Sequence, residues 1–557
     1  MSGDDARSFD LIDRPWILAR GLDGDIQELS LIDVFTRASE LECLVGEVPT
    51  QVFALTRLLL AILHRSIEGP RDLDHWEELW QQAELPVDAV KGYVDRHRAR
   101  FDLLHPRTPF LQVAELHTDK GETSELAKLI ADVPNGRQFF TARPTRELSL
   151  DFGEAARWVV HCHAFDPSGI KSGAVGDPRV KNGKGYPIGT GWSGYLGGVL
   201  VEGATLRETL LLNLLAHSFG ELHRWIAADR PAWERPPAGP QPASPDGVTP
   251  DENTDAGDRP PTGPLDLYTW QSRRIRLDWR DDMVTGALIC NGDRITQQNR
   301  HHLEPHTAWR RSDPQEKKLK RPLVYMPDSH RPQRALWRGL QSLLPGAVST
   351  QGKDAAPRLT PMVLNWLGLL ADEVIGLDYP VRIRAIGMTY GSQNSVTEDI
   401  TDDTLELGAH LLRSEATELV DVAIECVRAA DAVARAVGTL AGSIALAKGG
   451  ESDGPRTRAM ELAYGHLDVE FREWLAKLAP DTDATTAQTE WHGRAKSCVG
   501  ELGRDEIHNA PMVALTGRMV NGRLLTAAHA EARFYRELRA ALPLAFVDTP
   551  SQNGSPA

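Results

Sequence analysis

Between Gly169 and Gly198 the chain places ten glycines among three lysines, Lys171, Lys181 and Lys184. Glycine carries no Cβ, so such a stretch lets backbone approach another molecule closely or adopt φ > 0. Bare N–H groups beside ammonium groups suit an anionic partner, a phosphate or a polar groove edge. A floppy connecting loop has the same composition. A second polar stretch, Ile386-Gly-Met-Thr-Tyr390-Gly-Ser-Gln393-Asn394-Ser-Val396, follows the strand-like Val381-Arg-Ile-Arg-Ala385. Its order predicts a strand ending in a tight turn that displays Gln393 and Asn394. Side-chain amides both donate and accept, so they can read base edges or replace base-pair hydrogen bonds. Ordinary turn residues are the plain alternative.

Other chemistry is poorly supported. A phosphate-binding P-loop needs a glycine directly before its lysine, and Lys171-Ser172 follows Ile170. Gly189-Thr-Gly191-Trp-Ser-Gly194 has dinucleotide-fingerprint spacing, but Pro187 and Gly197-Gly198 make a poor helix start. The same segment puts glycine at the wrong offset for a serine-nucleophile elbow. The histidine clusters are His161-Cys162-His163 and His301-His302 with His306. On a strand, His161 and His163 would face one side and could ligate zinc or iron. No carboxylate motif accompanies them, and satisfied core or surface histidines are the competing reading.

The chain has 557 residues, enough for more than one domain. Its 41% hydrophobic and 25% charged residues are ordinary for a soluble globular protein. No apolar run approaches membrane-spanning length and the start is acidic, so a cytoplasmic location without membrane contact is expected. The five cysteines lie far apart with no C-x-x-C pair, which argues against a disulfide framework and a zinc ribbon. A net charge of −16 disfavours polyanion binding overall, yet local basic faces can override it. Arg273-Arg274-Ile-Arg276 is one such run; Arg310-Arg311 with Lys317-Lys318-Leu-Lys320-Arg321 is a denser one. Solvated surface is the bland reading of each.

The elements that must position these residues fall into two regions. Residues 1–405 mix short strands with helices. Phe9 to Ile17 reads as a strand meeting a proline turn, and Leu31 begins a helix capped by Ser30. Gln51 to Ile67 and Leu206 to Ala228 read as apolar helices. Residues 230–264 are rich in Pro, Asp, Gly, Ala and Thr, which predicts a disordered surface insertion. Leu267 to Trp270 and Arg274 to Leu277 read as antiparallel strands. In residues 406–557, Leu419, Ala423, Cys426, Ala430, Val433 and Val437 mark one helix face. Leu525, Ala528, Ala532, Tyr535, Leu538 and Leu542 mark another, with two more helical segments between them. The expected fold class is α+β: a large mixed α/β N-terminal domain followed by a C-terminal four-helix bundle.

This arrangement resembles the CasA family, the large subunit of the type I-E CRISPR interference complex Cascade. The resemblance covers nearly the whole chain. It rests on Leu11-Ile-Asp-Arg-Pro-Trp16-Ile17, on His105-Pro-Arg-Thr-Pro109-Phe110-Leu-Gln112, and on the glycine stretch followed by Leu206 to Asn213. The Tyr390 turn and the closing Ala532-Arg-Phe-Tyr-Arg-Glu-Leu538 complete it. The resemblance implies a non-catalytic DNA-recognition subunit without cofactor. Such a subunit reads the protospacer-adjacent motif (PAM) in the minor groove, starts unwinding and R-loop formation, and serves antiviral defence. Its implied partners are the double-stranded DNA target, the guide RNA (crRNA), other Cascade subunits and a helicase–nuclease.

Residue by residue, the resemblance implies that Gln393 and Asn394 form a wedge beside the PAM, with Tyr390 anchoring the alignment. The minor-groove glycine loop matches Gly169 to Gly176, including Lys171 and Gly173. There, a bulky residue at Gly173 or Gly176 is expected to weaken binding and spare the fold. Arg294, in Asn291-Gly-Asp-Arg294, is the candidate basic finger. Asn135, Arg137, Phe139 and Phe140 match a loop touching guide RNA or neighbouring subunits. Some relatives carry a cysteine cluster near the finger; here only Cys290 is present, so no zinc is expected. The alternative of a different class is a metal-dependent nuclease or hydrolase using His161, His163 and His301.

Overall fold

The computed structural model describes residues 7–131, 148–220, 228–245, 251–347, 356–415 and 417–546. It divides into two compact units. The first comprises Met1–Arg334, Val348–Leu370 and Val381–Thr404; the second comprises Ala335–Ala347, Ala371–Pro380 and Leu405–Ala557. Helices and mainly antiparallel sheets together make an α+β protein, the class expected from sequence.

The first unit opens with β1 (Ile17–Gly21), β2 (Ile26–Leu29), α1 (Leu31–Thr36) and β3 (Leu41–Leu44). Residues 11–14 form a turn, so the strand read from Phe9 begins only at Ile17. Ser30 caps α1 through the Asp33 N–H, with the Asp33 carboxylate returning to the Ser30 N–H. α2 (Pro49–Ser66) is buried from Thr50 to Leu63; most of these residues are apolar, and the one charge among them, Arg57, is paired with Glu304. α3 (Leu73–Gln81), α4 (Val87–Arg96) and α5 (Phe152–Phe165) follow, α2 packing on α4 and α5.

The glycine-rich stretch then forms β4 (Lys171–Ser172) and β5 (Lys184–Gly185), before β6 (Gly198–Glu202) and α6 (Leu206–Leu212). The predicted helix from Leu206 therefore stops early, because the Asn213 amide bonds the β6 backbone at Val201. Residues 221–227 of that predicted helix lie outside the described residues. The 230–264 segment is not a loose insertion where it is described: Trp233, Asn253 and Arg259 are buried. Arg259 pairs with Asp266, and the Trp233 indole donates to Tyr93 Oη at 2.6 Å. A single tryptophan and a few buried charge pairs order a segment whose average composition reads as disordered.

α7 (Pro264–Tyr268) replaces the strand expected at Leu267, so the strand expected at Arg274 lacks that partner and, as β7 (Arg273–Arg280), pairs antiparallel with β8 (Met283–Asn291) instead. Their sheet has the order β5-β4-β8-β7, with β4 parallel to β8 at Ser172 and Cys290. Next come β9 (Trp309–Arg311), α8 (Asp313–Leu319), β10 (Tyr325–Pro327), β11 (Arg358–Leu359) and α9 (Met362–Leu370). β12 (Pro380–Tyr390) and β13 (Thr397–Gly408) complete a β13-β12-β6 sheet.

The second unit is built on α10 (Thr417–Ala447), α11 (Asp453–Ala476) and α12 (Ala484–His508). It continues through α13 (Met512–Thr516), the β14 (Arg518–Val520) and β15 (Arg523–Leu525) hairpin, and α14 (Ala527–Ala541). Four long helices make the bundle. Along α10 the expected stripe is buried from Ala423 to Val437, with Val420 rather than Leu419 at its start. On α14 the buried face is Ala527, Ala530, Phe534 and Leu538, rotated from the expected one; Ala528 and Ala532 are exposed. Alanine gives little signal of phase, and Phe534 decides it. Phe471 and Trp491 meet edge to face at 5.0 Å in the bundle core. Glu418–Ala447 is long and apolar enough to cross a membrane, the one such helix among the described residues, and 67% of its most apolar window is buried.

Candidate nucleic-acid interface

β12 ends at Tyr390, whose hydroxyl donates to the Phe165 carbonyl at the end of α5 at 2.6 Å. Burial pushes that phenol well above its ordinary pKa, so it stays a donor. Gly194 makes room for it: a Cβ there would lie 2.3 Å from Tyr390 Oη. Beyond Tyr390 the turn closes with Gly391 N–H donating to Val396 O at 2.9 Å and Asn394 N–H to Gly391 O at 2.9 Å. Gln393 and Asn394 stand at φ 58° and 54°, in the left-handed region that non-glycine residues seldom occupy. Both side chains are exposed and have no hydrogen-bond partner among the described residues. Strain of this kind persists only where the surroundings hold it, and here the strand ends and the Tyr390 anchor do so.

The glycine loop is held from below. Asp166, directly after α5, receives Lys171 Nζ at 2.5 Å and the guanidinium of Arg273. Arg273 also donates to the carbonyls of Asp166, Pro167 and Gly189, and Gly191 N–H donates to Asp166 O. Burial alone would raise the Asp166 pKa; the two cations outweigh it and hold the carboxyl below its ordinary value. The loop and the amide turn meet. A Cβ built on Gly169, at φ 139°, would lie 3.9 Å from Ser395 Cβ.

The sequence-predicted residues therefore separate. Half-buried Gly169 meets Ser395, which directly follows the exposed pair Gln393 and Asn394. Lys171 does not present its ammonium outward, being 15% exposed and committed to Asp166. Arg273 and Arg274, read as a basic surface run, are buried in ion pairs with Asp166 and Asp293. Arg294 is half exposed and faces Asp255 at 2.8 Å and Asp258 at 3.7 Å, so it must leave two carboxylates to reach another anion. Asn135, Arg137, Phe139 and Phe140 lie outside the described residues. Residues that sequence reasoning missed are Asp166, Arg273 in its inward role and Gly194. The only advance signal was the position of Asp166 at the end of an apolar segment.

Gly173 and Gly176 also differ. Gly173 is buried, and a Cβ there would lie 2.6 Å from the Gly183 carbonyl carbon and 2.7 Å from Val180 Cγ1. The expectation that a bulky residue spares the fold at both sites fails at Gly173. Gly173→Val is expected to destabilise the fold by about 2–3 kcal/mol through overpacking, read as a lowered urea midpoint. Gly176 is exposed at φ 94°, with Pro240 Cγ 3.1 Å from a built Cβ. Gly176→Ala should cost about 1 kcal/mol, the strain of a Cβ at positive φ. Equal midpoints for the two variants would contradict this packing.

The histidines do not assemble a metal site. His161 and His163 lie on helix α5, not on a strand, and i, i+2 positions diverge. His161 Nε2 meets Thr50 Oγ1 at 2.9 Å, whereas His163 Nε2 meets Leu111 O at 2.7 Å. Burial lowers their pKa values to about 3 and about 4, so both are neutral core residues. His301 packs among His302, Trp309 and Tyr325. No three His, Cys, Asp or Glu side chains converge as metal ligands among the described residues. Cys290 is buried in β8, which pushes its thiol to about 12.

Comparison with known proteins agrees with this architecture. The profile of the CRISPR-associated protein Cse1 family matches residues 10–502. The crystal structure of Thermobifida fusca Cse1 superposes with a TM-score of 0.88 at 46% identity, covering 97% of this chain and 99% of that one. Cse1 from Acidimicrobium ferrooxidans gives a TM-score of 0.77 at 30% identity, covering 97% and 98%. The CRISPR-associated protein CasA/Cse1 of Thermus thermophilus is 29% identical over 475 residues, 85% of this chain and 82% of its own. With the profile spanning most of the chain, and with whole-length likeness in fold, the chain belongs to the CRISPR-associated Cse1 (CasA) family.

Proposed function

We propose that this chain is the non-catalytic DNA-recognition subunit of a CRISPR RNA-guided surveillance complex, reading the PAM from the minor groove and starting strand separation. The observation that carries this reading is the pairing of an exposed, strained amide turn at Gln393 and Asn394 with the glycine loop at Gly169. Backbone at a glycine can approach a groove floor, and the amides can stand in for base-pair hydrogen bonds at the first opened step. The minor groove shows a degenerate acceptor pattern, so such a reader tolerates several related PAM sequences. Opening one step costs a few kcal/mol, which contacts to the DNA backbone offset. Guide RNA pairing then reads the remaining sequence, and the opened DNA passes to a helicase–nuclease. The separate engagement of His161 and His163 favours this over a metal-dependent hydrolase.

The test is reconstitution of the guide-RNA complex with and without this chain, measuring binding to duplex targets that carry or lack a PAM. PAM-dependent capture should require the chain. Equal capture without it would refute the reading.

A further inference from the structure

The glycine-rich stretch doubles back just beyond Lys171. Lys181 N–H donates to Lys184 O at 3.0 Å and Lys184 N–H to Lys181 O at 3.1 Å. Asn182 and Gly183 between them stand at φ 53° and 70°. Positive φ at both central residues is the two-residue hairpin turn whose twist suits flanking strands, and Asn-Gly is its favoured sequence. The hairpin is seated on the sheet: Ser172 pairs with Lys184, Lys171 with Gly185, and Asn291 Nδ2 donates to Tyr186 O at 2.6 Å.

Its tip has the opposite electrostatic character to the loop beside it. Lys171, Arg273 and Arg294 all face carboxylates. Lys181 and Lys184 are exposed and have no ion pair or hydrogen bond from their ammonium groups among the described residues. The nearest acid before them in sequence, Asp177, is tied to Arg179. Tyr186 beside the tip is half exposed. Gly169, against the amide turn, lies three residues from Ser172, the strand partner of Lys184, so at most about 10 Å of chain separates Gly169 from that rung. That reach is within about three base-pair rises of a duplex.

The geometry points to Lys181 and Lys184, presented by a rigid hairpin tip, as cations that contact DNA phosphates flanking the groove entered at Gly169 and Gln393. This rests on the DNA-recognition reading above. Phosphate contacts of this kind set register and affinity without reading sequence.

The test uses the assembled guide-RNA complex carrying wild type, K181Q/K184Q or K181R/K184R, with equilibrium binding to a PAM-bearing duplex measured across salt concentrations. Two lost phosphate contacts should reduce the slope of log K against log salt by about 1.8, and weaken binding about thirtyfold at 0.15 M salt. The arginine variant should retain the wild-type slope, and the ratio between PAM-bearing and PAM-lacking targets should hold in all three. Thermal melts should coincide, since the tip is exposed. An unchanged slope in the glutamine variant overturns the proposal. It leaves the wider reading intact if Q393A/N394A still slows opening in the same preparation. Reduced guide-RNA incorporation, with normal DNA binding per assembled complex, would also overturn it and assign the lysines to RNA.

Discussion

Replacing Gln393 and Asn394 together by alanine is expected to slow R-loop formation on a fully paired target by about ten- to a hundredfold. That range corresponds to losing about 1.4–2.7 kcal/mol from a step whose opening costs a few kcal/mol. Initial capture should change less, because phosphate contacts supply most of the salt-dependent affinity. A target already mismatched between its own strands next to the PAM should restore the rate to within about threefold, since opening there no longer has to be driven. The positive φ of both residues calls for a control, because alanine is strained in that region and glycine is not. Q393G/N394G removes the amides and keeps the backbone conformation. Equal defects in the alanine and glycine variants assign the effect to the amides. Equal defects on paired and pre-opened DNA would mean that the turn is not a wedge.

Glu304→Ala should destabilise the first unit by about 3–5 kcal/mol, the usual cost of leaving a buried charge without its partner. Glu304 is fully buried and accepts both arms of Arg57 at 3.0 and 2.8 Å, as well as the Trp192 indole at 2.6 Å. Arg57 makes no other ion pair among the described residues and lies over the Tyr268 ring at 4.5 Å. The effect should reach the interface. Trp192 stands between Gly191, which donates to Asp166, and Gly194, which accommodates Tyr390. Urea unfolding followed by tryptophan fluorescence reads the loss. The double variant R57M/E304L should recover much of it, because an apolar pair leaves no charge unpaired. A loss below about 1 kcal/mol for E304A would contradict the buried pairing.

Local features carried well from sequence to structure because their causes are local. The Ser30 cap needs only an acceptor three residues before an N–H, and α2 needs only a long, predominantly apolar segment. The α10 stripe needs only helical spacing, and the turn after β12 needs only polar residues following an alternating strand. The exposure of Gln393 and Asn394 was legible for the same reason. Where local signals were weak they misled. The alanine-rich face of α14 came out rotated, and the helix from Leu206 was read through Asn213, whose amide turns back to β6.

The fate of the charges was not legible, because a charge's environment is set by partners far along the chain. Arg273 and Asp166 are 107 residues apart, and Arg57 and Glu304 are 247 apart. In sequence, Arg273-Arg274 and Lys181/Lys184 are equally basic. Folding buries the first pair against Asp166 and Asp293 and leaves the second at an exposed hairpin tip. Likewise, nothing between Gly169 and Ser395 in the chain announces that a Cβ built at Gly169 would lie 3.9 Å from that of Ser395. Residue types and their spacing thus settled which chemistry the chain can offer and placed the elements with strong local signals, such as α2, α10 and the turn after β12. Which cations remain free, and which loops share one face, followed from long-range packing, since electrostatic neutralisation and contact depend on distance in space and not on separation along the chain.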